Sequence, residues 1–262
     1  MARFCTLYSG SSGNCTYVGG GRGGLLVDAG VSCKAILDGL AQVGAETSAI
    51  AGILITHEHV DHIRGLKVLL KKLKVPVYSA AATLDYLVRG GWLPPGAQLT
   101  ELSSPMEIGG MEVVPFETSH DGAAPQGYRL TTGDGRRIGV ATDLGQVTDG
   151  VDRALSGCDL VLLESNYDPG MLACGPYPYY LKKRISSQLG HLSNDDCAAQ
   201  LVRLVESGTT RLVLAHLSQE NNLPQLAFET ARSELLAAGC RQGEDYLLQV
   251  ASRKTPDPMI VF

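Results

Sequence analysis

No two cysteines in this chain are spaced C-x-x-C. The seven present, Cys5, Cys15, Cys33, Cys158, Cys174, Cys197 and Cys240, are scattered and odd in number. That excludes a small disulfide-framed scaffold and argues against a structural zinc ribbon; free thiols in a reducing compartment fit best. No apolar run approaches the length of a membrane span. Met1-Ala2-Arg3 leads into a polar, glycine-rich stretch with no signal pattern. We therefore expect a cytoplasmic protein with no membrane partner. Neither charge sign dominates: 22 Lys and Arg against 27 Asp and Glu give a net charge of −5 over 262 residues, so nothing global advertises nucleic-acid binding. There is no internal repeat of short period and no low-complexity linker. The length suits one large α/β domain or two small ones.

What the chain does have is a dense polar cluster at the end of an apolar run. In AGILITHEHVDHIR, Ala51 to Arg64, a buried-strand pattern stops at His57, and His59, Asp61 and His62 follow before a helical pattern begins. Three imidazoles and a carboxylate this close together can hold two divalent ions side by side, and these ligand types suit zinc, iron and manganese. The spacing differs from the helical HExxH zinc motif, because Asp61 stands where its second histidine would be.

Taken in order, the chain alternates short apolar runs with helical patterns. Strands are expected at Phe4 to Tyr8, Thr16 to Val18, Leu25 to Val27 and Ile50 to Thr56. Between the first two lies SGSSGNC, Ser9 to Cys15, which is either a hairpin loop or a cradle of backbone N–H groups and hydroxyls for a phosphate. Asp28 follows the third strand and either caps the next helix, near Ser32 to Val43, or orients a neighbouring ligand; the capping role is favoured. A helix expected from Ile63 to Leu73 turns Arg64, Lys67, Lys71 and Lys72 outward, with Lys74 just beyond it. That is either a solvated face or a track for an anionic polymer.

Further strands are expected at Val75 to Ser79, Met111 to Glu117, Gly127 to Thr132, Arg137 to Thr142, Leu160 to Leu163, Leu212 to Ala215 and Tyr246 to Ala251. Helices are expected at Thr83 to Arg89, Asp195 to Glu206 with Asn194 as cap, and Leu226 to Ala237. Met171 to Arg184 reads as an irregular surface loop. Its tyrosines, Tyr177, Tyr179 and Tyr180, precede Lys182-Lys183-Arg184, a composition that suits either an ordinary loop or a lid or platform for bases and phosphates.

The histidines form the second pattern. The chain has six, at 57, 59, 62, 120, 191 and 216. His120, Asp143 and His216 each follow an apolar run, as the opening cluster does, and strands of one core end on common edges.

HEHVDH resembles the H-x-H-x-D-H signature of the metallo-β-lactamase superfamily, and His120, Asp143 and His216 stand in the order and spacing of its later ligands. SGSSGNC, LESNYD, GHLSN and LAHLSQENN narrow the resemblance to the YycJ/WalJ family of exonucleases. The resemblance covers essentially the whole chain and implies an α/β fold: one αββα sandwich domain over residues 1–262, with metals at one edge of the two sheets. It places His57, His59 and His120 on one metal, Asp61, His62 and His216 on the other, and Asp143 between them. The interval from Asp143 to His216 is too short for a β-CASP insertion. The flexible arm of ribonuclease Z and the thiolate ligand of some β-lactamases have no counterpart.

The activity so implied is hydrolysis of phosphodiesters using two divalent ions (zinc, manganese or iron), as a 5′-to-3′ exonuclease on single- or double-stranded DNA in DNA repair or metabolism. Asp61 would orient the attacking water, and His191, the histidine the metal set does not need, would serve as the acid. Ser11, Ser12, Asn14 and Ser193 are candidates for the substrate phosphate. Two other readings are a small-molecule hydrolase of the same fold (cyclic phosphodiesterase, thioesterase or lactonase) and a metal-binding regulatory protein without turnover. The second is disfavoured by the complete ligand set.

Overall fold

The computed structural model describes residues 1–262. It holds two seven-stranded mixed sheets flanked by helices. No helix is long and apolar enough to cross a membrane. The chain divides into two compact units, one of Met1–Pro115, Gly122–Arg136 and Ser252–Phe262, the other of Phe116–Asp121 and Arg137–Ala251.

The first unit opens with a meander, β1 (Arg3–Tyr8), β2 (Cys15–Gly19) and β3 (Gly24–Val27). Then come α1 (Cys33–Gln42), β4 (Ile50–Leu54), α2 (Val60–Ile63), α3 (Leu66–Leu73), β5 (Val77–Ser79), α4 (Ala81–Arg89) and β6 (Leu99–Glu101). From β3 onward every strand pairs in parallel with the next. Parallel neighbours need a crossover, and α1, α2 with α3, and α4 supply the three. The expected helix from Ile63 to Leu73 is two helices broken at Gly65. A Cβ there would stand 2.0 Å from the Val31 carbonyl, so the chain turns at the point where it touches that loop. In α3, Leu66, Leu69 and Leu70 are buried while Lys67, Lys71 and Lys72 face out. The core gathers Leu7, Leu26, Ile36, Leu40, Ile53, Ile55 and Leu69.

The second sheet begins with β7 (Met106–Ile108), β8 (Met111–Glu117) and β9 (Gln126–Thr132). It continues with β10 (Arg137–Ala141), then α5 (Asp149–Leu155), β11 (Leu160–Glu164), α6 (Pro169–Cys174), α7 (Tyr179–Ile185), α8 (Asn194–Glu206), β12 (Arg211–Ala215), α9 (Pro224–Ala237) and β13 (Leu247–Val250). Its strands run in the order β13-β12-β11-β10-β9-β8-β7. β10 to β13 are mutually parallel, and the apolar runs of β10, β11 and β12 are buried on both faces.

Two local expectations are corrected in the second unit. Ser193, not Asn194, caps α8: its hydroxyl accepts from Asp196 N at 3.1 Å and donates to Asp196 Oδ2 at 2.6 Å. Met171 to Arg184 is not irregular; it contains most of α6 and α7. Asp168 caps α6 through Met171 N at 2.7 Å, and Pro169 occupies the first helical turn, a start signal that the proline count of this stretch obscured.

The chain ends back in the first unit, where β14 (Ile260–Val261) pairs with β1. Asp257 is clamped there: its N–H donates to Thr6 O at 2.9 Å, and its carboxylate accepts from Ser252 N at 3.2 Å. Burial outweighs that bond and lifts the Asp257 carboxyl to about 6. The folded protein therefore favours the neutral acid. The stability this contributes is complete below the ordinary carboxyl range and lost as pH rises through about 6. Asp257→Asn keeps the shape and removes the charge. We expect equal stability to the parent near pH 4, and a gain of about 1–3 kcal/mol at pH 8, from about 1.4 kcal/mol per pH unit of displacement. Urea titrations at both pH values measure it, and no gain at pH 8 contradicts it.

Candidate metal centre

In the first unit the donor set is built where β3 and β4 end. His59 is the N-cap of α2, so Asp61 and His62 fall in its only turn. The rings of His57 and His59 lie 4.5 Å apart, and those of His57 and His62 4.2 Å. Asp28 leaves β3 with φ 64°, a left-handed conformation that aspartate tolerates better than most residues. That turn aims its carboxylate inward. Oδ2 accepts from His62 Nδ1 at 2.7 Å, and Oδ1 accepts from Thr56 N at 2.9 Å. The favoured capping role is therefore not the one Asp28 plays; Ser32 caps α1 through Ala35 N, and Asp28 orients His62.

The SGSSGN loop is bound to the same place. Asn14 N donates to Asp61 O at 2.8 Å, and Gly30 N donates to Asn14 O at 2.8 Å. The Asn14 amide nitrogen lies 3.1 Å from His62 Nε2 and 3.4 Å from Asp61 Oδ2. A Cβ on Gly30 would stand 1.6 Å from Asp61 O, so only glycine permits this approach. Ser11 and Ser12 at the loop tip are exposed, and Ser12 O accepts from Arg64.

The second unit supplies a set of the same kind at the ends of β10, β11 and β12. Asp143 and His216 follow β10 and β12 with φ 58° and 55°. Ligand atoms of Asp143, Glu164, His191 and His216 all lie within 4.8 Å of one another. Glu164 is the residue that sequence reasoning missed. It is wholly buried at the end of β11, and its Oε1 lies 2.8 Å from both His191 Nδ1 and His216 Nδ1. Its Oε2 accepts from Leu144 N at 3.0 Å and Leu192 N at 3.1 Å. The signal was present, because Glu164 ends an apolar strand just as Asp143 nearly does and His216 does. Asn166 braces His216 by donating to its carbonyl at 2.8 Å. Ser193 is close by in sequence, but its hydroxyl is engaged in the α8 cap.

The electrostatics separate the histidines. Burial lowers the pKa of His120, which keeps the ring neutral. Its Nδ1–H donates to Gly190 O at 2.8 Å, so Nε2 presents a lone pair 3.4 Å from Asp121 Oδ1 and 3.6 Å from Asp143 Oδ1. His62 repeats the arrangement: Nδ1 is on Asp28, and Nε2 is 3.6 Å from Asp61 Oδ2. Acceptors facing acceptors at such distances suit a cation between them, and an imidazole whose second nitrogen is tied to oxygen is the usual form of a metal ligand. The donor sets thus fit a divalent ion. His191 behaves oppositely. Burial alone would lower its pKa, but the charge and hydrogen bond of Glu164, with help from Asp143, raise it. Glu164 is held low in turn: the charge of His191 and bonds to both rings outweigh its burial.

Comparison with known proteins gives this arrangement its kin. Residues 24–217 match the family model of the beta-lactamase superfamily domain. The chain is 36% identical over 261 residues to Exodeoxyribonuclease WalJ of Streptococcus pneumoniae serotype 2, covering 98% of this chain and 97% of that one. It is 36% identical over 257 residues to Exodeoxyribonuclease YycJ of Bacillus anthracis, covering 97% and 96%. Among solved structures, the metallo-beta-lactamase fold protein YhfI of Bacillus subtilis superposes with a TM-score of 0.70 at 14% identity, covering 98% of each chain. The fold is therefore that of the metallo-β-lactamases, and the chain belongs to the β-lactamase superfamily, among the relatives of WalJ and YycJ.

Proposed function

We propose that this protein is a metal-dependent phosphodiester hydrolase that shortens DNA from its 5′ end. The observation that carries the substrate is the likeness, at 36% identity along nearly the whole chain, to relatives named exodeoxyribonucleases. The observation that carries the chemistry is the Glu164–His191 pair beside a donor set that fits divalent ions. His57, His59 and His120 would hold one ion, Asp61, His62 and His216 a second, and Asp143 both; His and Asp donors suit zinc, manganese or iron. Bound divalent ions would supply Lewis acidity toward a phosphoryl oxygen and toward an attacking water.

The chain's own groups do the rest. The Asp61 side chain is about a fifth exposed, and it orients the attacking water by accepting its hydrogen bond. His191 keeps a fifth of its side chain exposed, and Glu164 favours its protonated form. With Nδ1–H on Glu164, the second proton sits on Nε2, from which it passes to the leaving 3′-oxygen. The exposed hydroxyls of Ser11 and Ser12 are the free members of the candidate phosphate set. Asn14 lies against Asp61 and His62, and Ser193 caps α8. The seven cysteines are all free thiols, which suits a reducing cytoplasm.

The assay is degradation of end-labelled single- and double-stranded DNA with manganese or zinc. We expect 5′-to-3′ shortening, loss of activity on chelation and recovery on metal return. Asp143→Asn should abolish the activity, and His191→Ala should lower kcat by about 100-fold or more, the range of a lost general acid. Full activity in His191→Ala would remove that residue from the mechanism.

Orientation of His62 gives a separate prediction. Asp28→Asn removes the charge that fixes its Nδ1–H. Metal affinity, measured by competition with a chromophoric chelator, should fall about 10–100-fold. Unchanged affinity would mean that Asp28 serves the backbone alone.

A further inference from the structure

The geometry of α7 points to a stacking platform for single-stranded DNA, formed by Tyr179, Tyr180 and Lys183, that feeds the strand toward His120 and His191. The inference rests on the nuclease reading above and names the surface that would hold its substrate.

Six residues of this segment are aromatic or basic, and the structure divides them. Tyr177 is half-buried and packs with Leu181 on Tyr167, Leu172 and Ile185. The Lys182 ammonium donates to Ala173 O at 2.6 Å, and the Arg184 guanidinium pairs with Asp121 at 2.6 Å. These three hold the segment in place. Tyr179 and Tyr180 do not: they are 72% and 74% exposed, whereas the next most exposed tyrosine, Tyr86, stands at 45%. Lys183 places its ammonium 5.2 Å from the centre of the Tyr179 ring. Folding gains little from two neighbouring aromatic rings left in water. A pair of exposed rings with a cation over one of them is what an unpaired base and its phosphate require, since stacking takes the flat face of a base and the ammonium takes the charge. Duplex DNA keeps those faces covered, so the platform selects single strands.

The platform is rigidly tied to the site. His191 N donates to Ile185 O at 2.8 Å, the last residue of α7, and His120 Nδ1 donates to Gly190 O at 2.8 Å. A Cβ on Gly190 would stand 2.2 Å from both Arg184 O and Ile185 O, so the segment after α7 is pressed onto the helix end. Arg184 holds Asp121, the neighbour of His120. From Tyr179 to Ile185 the helix rises about 9 Å, the length of two or three stacked bases. A strand resting on the tyrosines thus has its next nucleotides within reach of His191.

The test compares the parent with Tyr179→Ala/Tyr180→Ala, Tyr179→Phe/Tyr180→Phe, Lys183→Ala and, as a control, Tyr86→Ala. Each is assayed with manganese on a 5′-phosphorylated single-stranded thymidine oligonucleotide, with Tm recorded alongside. We expect the double alanine variant to raise KM about tenfold or more with kcat within about twofold. The double phenylalanine variant, which keeps the rings, should restore the parent KM. Lys183→Ala should flatten the slope of log affinity against log salt by about 0.7, the share of one phosphate contact on a single strand. Tyr86→Ala should match the parent, and all Tm values should agree. If the parent degrades the oligonucleotide and the double alanine variant does so with unchanged KM, the platform is refuted and the nuclease reading stands. If the parent neither binds nor degrades DNA, both fall together.

Discussion

A buried carboxylate that holds the Nδ1–H of a histidine is the interaction on which the donor set of each unit depends. Asp28 does this for His62, and Glu164 does it for His191 and His216. An imidazole left to itself exchanges tautomers and turns about its bonds. One whose Nδ1–H is held at 2.7 or 2.8 Å by an immobile carboxylate presents its other nitrogen in one direction. Burying such carboxylates costs free energy unless every oxygen is satisfied. Asp28 meets that condition with Thr56 and His62. Glu164 meets it with two backbone N–H groups and two rings. Each carboxylate is therefore a junction as well as an orienter: Asp28 ties the end of β3 to that of β4, and Glu164 joins the ends of β10 and β12 to the entry of α8.

The backbone shows how those junctions are reached. Asp28, Asp143 and His216 all adopt left-handed conformations directly after, or two residues after, a buried parallel strand. A side chain on a continuing strand would point to one face of the sheet. A left-handed residue breaks that alternation and swings the side chain back over the strand end. For a non-glycine residue this conformation is strained by about 1–3 kcal/mol, and it persists where surrounding contacts over-determine it. Here those contacts are visible: Asn166 on the His216 carbonyl, the Glu164 bond to Leu144 beside Asp143, and the Asp28 bonds to Thr56 and His62.

Much of this was legible in the sequence because its signals were local. The apolar runs ending in His57, Asp143 and His216 are buried strands and their continuations, and the helix with outward lysines is α3. What escaped was of two kinds. β6, β7 and β14 are only two or three residues long, with a single buried side chain, Ile108, among them, and owe their existence to a neighbour's free edge, which no local pattern reports. Asp28 and Glu164 escaped for a different reason. A lone carboxylate after a strand reads equally as a cap, and the partners that decide its role, His62 and His191 with His216, lie 34, 27 and 52 residues away. The tyrosine-rich segment was obscured by its prolines, which suggest an irregular loop until Asp168 and Pro169 are recognised as a helix start.

His120 and His191 show how one environment divides labour between like residues. Both are largely buried in the same unit, their ring centres 5.0 Å apart. Burial pulls both toward the neutral form. His120 meets a carbonyl, Gly190 O, which orients the ring without a full charge; it stays neutral and offers a lone pair. His191 meets the full charge of Glu164 and is pushed the other way, toward carrying a proton. The partner on Nδ1, a dipole in one case and an anion in the other, is enough to send the two neighbouring rings toward opposite protonation states, which is what the proposed roles of ligand and acid require. The carbonyl that orients His120 and the ring that meets Glu164 lie on one short stretch of structure, because Gly190 and His191 are adjacent and the segment bearing them is fixed to the end of α7. The assignment of two different roles thus reduces to how one turn of backbone meets one buried glutamate.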